Sequence, residues 1–336
     1  MNKDIIFLNP VCTHNIWGGT RLNREFGYSI EGDDIGECWG ISAHPSGDGT
    51  VRNGAFQGMK LSELWEKHPE LFGNTGMDRF PLLVKIIDAK DDLSIQVHPD
   101  DAYAKVHENG SLGKTECWFI LDCKENATLV AGHNAKTKEE LERMIHEGRW
   151  KEFIREIPIK PGDFIQIDPG TVHAIKGGTL LLETQQSSDI TYRVYDYDRL
   201  SNGKPRQLHI AQSIDVITVP AKSAENSVVH TEKKDDVIQQ LIQCPYYTVY
   251  RIDVEHRVEI WQGKLFVLMS VAEGEGTLNG TRLSRLFFIN PFEFKNIQRI
   301  HIRAGKDSGS LRISGDFSTV PENVYIRERH MHCHGA

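Results

Sequence analysis

Three short segments of the chain carry side chains that could bind a metal ion. LSIQVHP contains Gln96 and His98, and side chains two apart in a strand lie on one face, about 7 Å apart. Glu116 opens the apolar run ECWFILDC, and a carboxylate that enters a core requires a cation or hydrogen-bond donors. His173 follows a glycine turn in DPGTVHAI. Each segment alone also fits a structural role: a polar strand face, a Lys114–Glu116 pair, or a core histidine.

Together these side chains form a set of nitrogen and oxygen donors. Two imidazoles and one carboxylate with an open position are the usual protein ligands of a catalytic zinc ion, and Gln96 could add a weaker amide ligand. The same set could hold ferrous iron. No thiolate belongs to the set, which argues against a structural zinc site. The residue types therefore predict one catalytic metal per chain and leave zinc and iron open.

The elements that must position these residues are mostly short strands. Apolar runs separated by turn residues predict strands at 81–88, 93–99, 116–123, 162–170, 179–185 and 265–271. Helical spacing predicts helices over 61–72, from the capping box at Thr137 and Glu140, near 150–154, and over 207–217. The layout GDFIQIDPGTVH matches the second cupin motif. We therefore expect a mainly β protein with two cupin-like (jelly-roll) β-barrel domains and a few short helices.

A polar segment with mixed charges, from Pro220 to Asp235, divides the chain. It predicts a catalytic metal-binding cupin domain over 1–222, with a small helical insertion near 137–154. A cupin-like C-terminal domain then covers 236–320, where the GEGTLNG turn at 274–280 resembles the turn that opens a cupin hairpin. The tail at 321–336 ends in HMHCHGA, which we interpret as a disordered terminus rather than a metal site.

The composition excludes several classes of partner. A net charge of −8 over 336 residues argues against a nucleic-acid surface. The N-terminus lacks the features of a signal peptide, and no apolar run approaches the roughly 20 residues that span a membrane. Six cysteines are scattered without a CxxC pair, which predicts a reduced, cytoplasmic protein. No protein partner is inferred. Because the chain is negatively charged overall, an anionic substrate would need a local group of basic side chains.

Further motifs place these residues in a wider pattern. Over about residues 7–220 the chain resembles the type I mannose-6-phosphate isomerases in their short bacterial form, through NIWGG (15–19), GECW (36–39), SAHP (42–45), QVHPD (96–100), GKTE (113–116), GTVHA (170–174) and DITYR (189–193). The resemblance implies one zinc ion per chain, bound by Gln96, His98, Glu116 and His173. It also implies a catalytic Arg193 and an active site that includes Lys114 and Asp189.

The resemblance implies an isomerase that interconverts mannose 6-phosphate and fructose 6-phosphate through an enediol or enediolate. Arg193 and Lys114 are then the candidates for binding the substrate. The proton-transferring base stays open among Asp189, Glu183, His44 and a metal-bound water. Gly113 stands where longer relatives carry a histidine, so that residue's role cannot be transferred.

Two other functions fit the same scaffold. One is a different metal-dependent cupin enzyme, such as an iron dioxygenase, and the other is a non-catalytic cupin that binds sugar. The presence of Lys114, Asp189 and Arg193 argues against the non-catalytic alternative, since a binding module needs no such set.

Overall fold

The computed structural model describes residues 5–223, 228–234, 236–262, 265–284, 287–291, 298–304 and 311–318. The described part of the chain is mainly β, as the sequence predicts. Its strands are β1 Ile6–Asn9, β2 Val11–Gly19, β3 Ile35–Ile41, β4 Ala43–His44, β5 Gly47–Asp48, β6 Thr50–Val51, β7 Leu82–Ala89, β8 Ile95–Val97, β9 Glu116–Cys123, β10 Thr128–His133, β11 Ile154–Pro158, β12 Asp163–Ile167, β13 His173–Ala174, β14 Thr179–Gln186, β15 Tyr192–Tyr195, β16 Leu200–Ser201, β17 Lys204–Pro205, β18 Val228–His230, β19 Val237–Gln243, β20 Tyr247–Val254, β21 Arg257–Gln262, β22 Phe266–Glu273, β23 Gly276–Leu278, β24 Thr281–Leu283, β25 Phe287–Pro291, β26 Gln298–Ala304 and β27 Leu311–Ser318. The α-helices are α1 Arg21–Phe26, α2 Leu61–Lys67, α3 Asp101–His107, α4 Lys138–His146, α5 Trp150–Phe153 and α6 Ile210–Val216, and two 3₁₀ helices cover Gly54–Phe56 and Pro69–Phe72.

The strands predicted from apolar runs are present, with ends that differ by a few residues. The helix predicted over 61–72 is divided into α2 and a 3₁₀ turn, because Pro69 has no backbone N–H and restricts His68 before it. Helices α1 and α3 were not predicted, because each buries a single residue, Leu22 or Ala104, and so has no apolar face with a helical period.

The predicted helical insertion consists of α4 and α5, between β10 and β11. Its capping residue behaves as the sequence predicts, since the Glu140 backbone N–H donates to Thr137 Oγ1 at 3.2 Å. The Glu140 carboxylate in turn accepts from the backbone N–H of Lys136 at 2.7 Å. The buried face of α4 carries Leu141, Met144 and Ile145.

The sheet that we call the central sheet has the strand order β18-β12-β9-β14-β7-β2-β3. Its middle strands are buried along their whole length, so both faces are covered. One face carries Leu82, Val84 and Phe119 and packs on side chains of the C-terminal strands. The other face, which we call the inner face, carries Trp118 and Ile120 beside the polar residues described below.

A second sheet, which we call the site sheet, has the order β11-β10-β13-β8-β15. Its register aligns Arg193 with Gln96 and Gln96 with His173. The residues that alternate with them, such as Ile95, pack outwards in a cluster with residues of α4 and α5. Because side chains directly opposite each other share a face, Arg193, Gln96 and His173 form one row on the inward side.

The third large sheet has the order β19-β20-β27-β22-β25-β1-β6, so the N-terminal strands β1 and β6 pair within a sheet of C-terminal strands. The predicted turn at 274–280 leads into the β23–β24 hairpin, whose Asn279 and Gly280 both have positive φ. No sheet closes into a barrel among the described residues. The two-barrel arrangement and the domain boundaries at 222 and 236 therefore stay predictions. The HMHCHGA tail lies outside the described residues.

Candidate metal centre

Three of the predicted ligands meet at one point between the central sheet and the site sheet. One donor atom each from His98, Glu116 and His173 lies within 4.8 Å of the others. His98 directly follows β8, Glu116 begins β9 and His173 begins β13. All three side chains are almost completely shielded from solvent. No other such group of His, Cys, Asp and Glu occurs in the part of the chain that the structure describes.

A glycine turn holds the two histidine segments together. Gly170 has a φ of 80°, and a Cβ there would lie 2.4 Å from Thr218 Oγ1. Its backbone N–H donates to the His98 carbonyl oxygen at 2.9 Å. The turn that leads to His173 is thus bonded directly to the residue that bears the other imidazole, and a side chain at Gly170 would separate them.

Backbone acceptors define which nitrogen of each imidazole faces the site. His98 Nδ1 lies 2.8 Å from the Ile190 carbonyl oxygen, and His173 Nδ1 lies 2.8 Å from the Thr171 carbonyl oxygen. A carbonyl accepts only, so both Nδ1 atoms are the protonated donors and both Nε2 atoms carry lone pairs. Burial and the Lys114 charge lower the pKa of His98 to about 3. Burial also lowers the pKa of His173, so both imidazoles are neutral.

The Glu116 carboxylate faces these two lone pairs. Its Oε2 lies 3.3 Å from His98 Nε2 and its Oε1 lies 3.3 Å from His173 Nε2. The Lys114 ammonium forms an ion pair with it at 2.8 Å. Burial raises the pKa of Glu116, but the Lys114 charge outweighs this and holds the pKa well below its usual range. The carboxylate is therefore ionised.

A cation is the group that fits these residues. Two neutral imidazole lone pairs and one buried carboxylate converge on one point, where the Lys114 ammonium already supplies one positive charge, because an uncompensated buried anion is costly. The donor set matches a catalytic metal site, and the bonds from both Nδ1 atoms are the usual support of metal-binding histidines. The chain can therefore hold a metal ion through His98, Glu116 and His173.

Gln96 lies beside this group but presents a different atom. Its Nε2 lies 3.3 Å from His173 Nε2, and its Oε1 accepts from Ser94 Oγ at 3.3 Å. An amide binds a metal through its oxygen, so Gln96 can serve as a ligand only with the amide turned over. Its role as a weaker ligand stays a prediction.

The two other predicted catalytic residues lie apart from each other. Arg193 Nε donates to Ser94 Oγ at 3.3 Å, and its NH1 donates to the Gln207 carbonyl oxygen at 2.9 Å. Asp189 precedes β15 and accepts from Ser46 Oγ at 2.8 Å, with His44 Nε2 at 3.6 Å. Asp189 lies outside β15 and therefore does not share a strand face with Arg193.

A charged cluster next to the metal centre was not predicted as a unit. On the inner face of the central sheet, Lys85 Nζ lies 2.7 Å from Glu183 Oε2 and 3.2 Å from Glu37 Oε1. The indole N–H groups of Trp39 and Trp118 donate to Glu37 and Glu183, each at 2.7 Å. The sequence indicates Glu183 only as a candidate for the proton-transferring base. A lone lysine within the apolar run LLVKII is the signal that could have revealed Lys85.

The Lys85 ammonium and the carboxylates of Glu37 and Glu183 stabilise one another's charged forms. Burial lowers the pKa of Lys85, but the Glu183 and Glu37 carboxylates outweigh it and raise that pKa above its usual value. Burial and the nearby Glu116 charge raise the pKa of Glu183. The inner face therefore combines a metal-binding group with a neighbouring buried lysine and two carboxylates, which are groups that can hold and transfer protons.

No helix in the described part of the chain is long and apolar enough to cross a membrane. None of the five cysteines that the structure describes forms a disulfide bond.

The comparisons with known proteins agree with each other. Residues 5–119 match a family model described as phosphomannose isomerase type I, catalytic domain. The chain is 51% identical over 279 residues to mannose-6-phosphate isomerase ManA of Bacillus subtilis, covering 83% of this chain and 88% of that protein. It is 48% identical over 274 residues to mannose-6-phosphate isomerase of Streptococcus mutans, covering 81% and 86%.

A solved structure extends the likeness to the fold. The crystal structure of the mannose 6-phosphate isomerase from Bacillus subtilis is similar with a TM-score of 0.84 and 46% identity. The match covers 93% of this chain and 99% of that one. A match of this length includes strands of all three large sheets.

Proposed function

Because this chain belongs to the type I phosphomannose isomerase family, we propose that it interconverts mannose 6-phosphate and fructose 6-phosphate at one bound zinc ion. His98, Glu116 and His173 are the proposed ligands, and Gln96 is the proposed weaker ligand. The proposal joins the activity of relatives about half identical to this chain with a metal-binding group in its own core.

The observation that carries the proposal is the convergence of electron-rich atoms from three side chains on one point. Two imidazole Nε2 atoms and both Glu116 oxygens face one another in a site closed to solvent. A zinc ion at such a site supplies a Lewis acid for the oxygens of the sugar. The residue types fit both zinc and ferrous iron. Zinc is proposed because the resemblance to the isomerase family implies it, and ferrous iron is the alternative to be tested.

The reaction moves a proton between C1 and C2 of the open-chain sugar, through an enediol or enediolate. Negative charge that develops on O1 or O2 is best stabilised by a fixed positive group in a site that excludes water. We assign this role to Arg193, and its position in the same row as Gln96 and His173 supports the assignment. Its guanidinium keeps its proton, so we assign it to charge stabilisation and substrate binding rather than to proton abstraction.

Lys114 is the second proposed substrate-binding and catalytic residue. Its ammonium lies 3.0 Å from His98 Nε2 and 2.8 Å from Glu116, so a positive charge stands beside the ligands before any substrate arrives. An ammonium is also a compact partner for phosphate. Asp189, also proposed to be catalytic, and Glu183 and His44 remain the protein candidates for the proton-transferring base.

Two broader proposals accompany the activity. The five described cysteines form no disulfide bond, which supports a reducing, cytoplasmic location. The C-terminal strands have a buried cluster of their own beside the cluster that they share with the central sheet, which supports a second cupin-like unit. The substrate is a small sugar phosphate, and neither nucleic acid nor a membrane is proposed as a partner.

The direct test is a coupled assay that follows conversion of mannose 6-phosphate by the purified protein. Activity should disappear with a strong chelator and return when zinc is restored. Parallel reconstitution with ferrous iron under anaerobic conditions separates the two metals. Full activity in metal-free protein would contradict the metal-dependent mechanism, and no conversion by the zinc-loaded protein would contradict the activity itself.

A further inference from the structure

The guanidinium of Arg193 is held by acceptors from two separate chain segments. Ser94 Oγ, just before β8, accepts from Nε at 3.3 Å, and the Gln207 carbonyl oxygen, before α6, accepts from NH1 at 2.9 Å. A long side chain that is only half buried has many rotamers in the absence of such bonds. The direction of the guanidinium therefore depends on where these two segments stand.

One buried carboxylate anchors both segments. Asp196, with 4% of its surface exposed, accepts from Arg206 Nε at 2.7 Å and NH2 at 2.5 Å. It also accepts from Arg199 NH2 at 2.6 Å. Asp196 is therefore bonded to two arginines that lie on either side of the β16–β17 hairpin.

Each of these arginines connects to one acceptor of Arg193. Arg206 directly precedes Gln207 in the chain, so its fork-shaped bond to Asp196 holds the backbone that bears the Gln207 carbonyl. Arg199 donates through NH1 to the Asp92 carbonyl oxygen, two residues before Ser94. The bonds thus run from one carboxylate to both acceptors that orient Arg193.

The charges in this cluster make the carboxylate essential to it. Three guanidinium groups lie near one another, and after burial the charges of Arg206 and Arg199 are the main influences that lower the pKa of Arg193. Burial raises the pKa of Asp196, but the bonds from Arg206 and Arg199 outweigh it and keep this carboxyl ionised. Without that negative charge the three cations would repel one another.

We infer that Asp196 is a positioning residue for Arg193, acting through Arg199 and Arg206. The inference rests on the proposed role of Arg193 in the isomerase reaction. Asp196 forms no described hydrogen bond or ion pair with the metal-binding residues or with Arg193. Its charge does act on Arg193, whose pKa it raises, and its bonds to Arg199 and Arg206 orient the guanidinium.

The test is a double-mutant cycle on the zinc-loaded full chain. Asp196→Asn keeps the shape of the side chain and removes its charge. We expect kcat to fall about tenfold or more, since small misplacement of a catalytic group has effects of this size, with KM and zinc per chain near the wild-type values. In an Arg193→Ala background the same substitution should change kcat less than about twofold, because the group that it positions is gone.

The matched control is Asp253→Asn. Asp253 is equally buried and also bonded to an arginine, Arg251, but it lies in β20. The Asp253→Asn substitution should lower thermal stability and leave kcat unchanged. If Asp196→Asn behaves like this control, or if its loss of kcat is fully retained in the Arg193→Ala background, Asp196 has only a structural role and the inference is wrong.

A second variant covers the case in which Asp196→Asn does not fold. Arg206→Lys keeps the positive charge and loses the fork that holds Gln207. It should lower kcat severalfold in the otherwise wild-type protein and change kcat little in the Arg193→Ala background. A wild-type kcat in Arg206→Lys would overturn the inference. A wild-type kcat in Arg193→Ala would instead contradict the proposed role of Arg193, and inactive wild-type protein would contradict the proposed function.

Discussion

The Nε2 atoms of His98 and His173 lie 3.1 Å apart, and neither can donate to the other. Both Nδ1–H groups already donate to backbone carbonyl oxygens, so two lone pairs face one another inside the core. The Glu116 carboxylate stands 3.3 Å from each. This arrangement requires a positive charge nearby, which the Lys114 ammonium supplies 3.0 Å from His98 Nε2 and which a bound metal ion would also supply.

We predict that His98→Ala loses most of the bound metal, because an open site with three strong ligands has no spare one. Metal per chain, measured by elemental analysis, should fall well below one. Chelator should lower the melting temperature of the wild type and change that of the variant little, since a metal at 100 times its Kd stabilises by about 2.7 kcal/mol. His133→Gln is the matched control and should keep its metal. Stoichiometric metal in His98→Ala would show that the site is misassigned.

We predict that Arg193→Ala lowers kcat by about 10²–10³-fold, the usual effect of removing one fixed charge at a developing oxyanion. Arg193→Lys keeps the charge without the planar fork and should remain clearly impaired. Metal per chain should stay at the wild-type level in both, because the guanidinium is no ligand. Steady-state kinetics provide the decisive comparison. A raised KM with an unchanged kcat would restrict Arg193 to phosphate binding.

We predict that Lys85→Met strongly destabilises the fold. The substitution leaves the carboxylates of Glu37 and Glu183 buried without their shared cation. Breaking a buried ion pair in this way typically costs about 3–5 kcal/mol, which urea unfolding of the metal-loaded protein can measure. Lys222→Met removes an exposed lysine that is paired with Asp168 and should change stability little. Equal stability of the two variants would contradict the prediction.

We predict that His133 makes the fold less stable as the pH falls. Its Nε2 donates to the Thr218 carbonyl oxygen at 2.9 Å, its Nδ1 has no partner in the described residues, and burial lowers its pKa from 6.5. The unfolded chain therefore binds a proton below pH 6.5 that the folded chain does not. The free energy of unfolding should fall by at most about 1.4 kcal/mol per pH unit from this group.

The measurement for His133 compares urea unfolding of the wild type and His133→Gln at pH 7.5 and 5.5. Glutamine can keep the donor to Thr218 but does not titrate. The wild type should lose more stability between these two pH values than the variant does. Parallel losses in the two proteins would mean that His133 is protonated in the fold or does not contribute.

Local sequence determined much of this protein. The alternation in LSIQVHP, the apolar run after Glu116 and the glycine turn before His173 depend on neighbours within a few residues, and each is present in the structure. Strand alternation and turn dihedrals are short-range properties of the backbone. The mainly β character and three candidate ligands could therefore be predicted without knowing which strands pair.

Tertiary structure alone decided what these residues meet. Lys85, Glu37 and Glu183 come from three strands, β7, β3 and β14, whose adjacency follows from sheet order and register. Asp189 bonds to Ser46, which lies 143 positions earlier in the chain. A period-two pattern defines the two faces of a strand but not its neighbours. Strand pairing over such separations depends on how whole sheet faces pack. The orientation of the His98 and His173 imidazoles depends on backbone carbonyl groups that lie near them only in the folded chain.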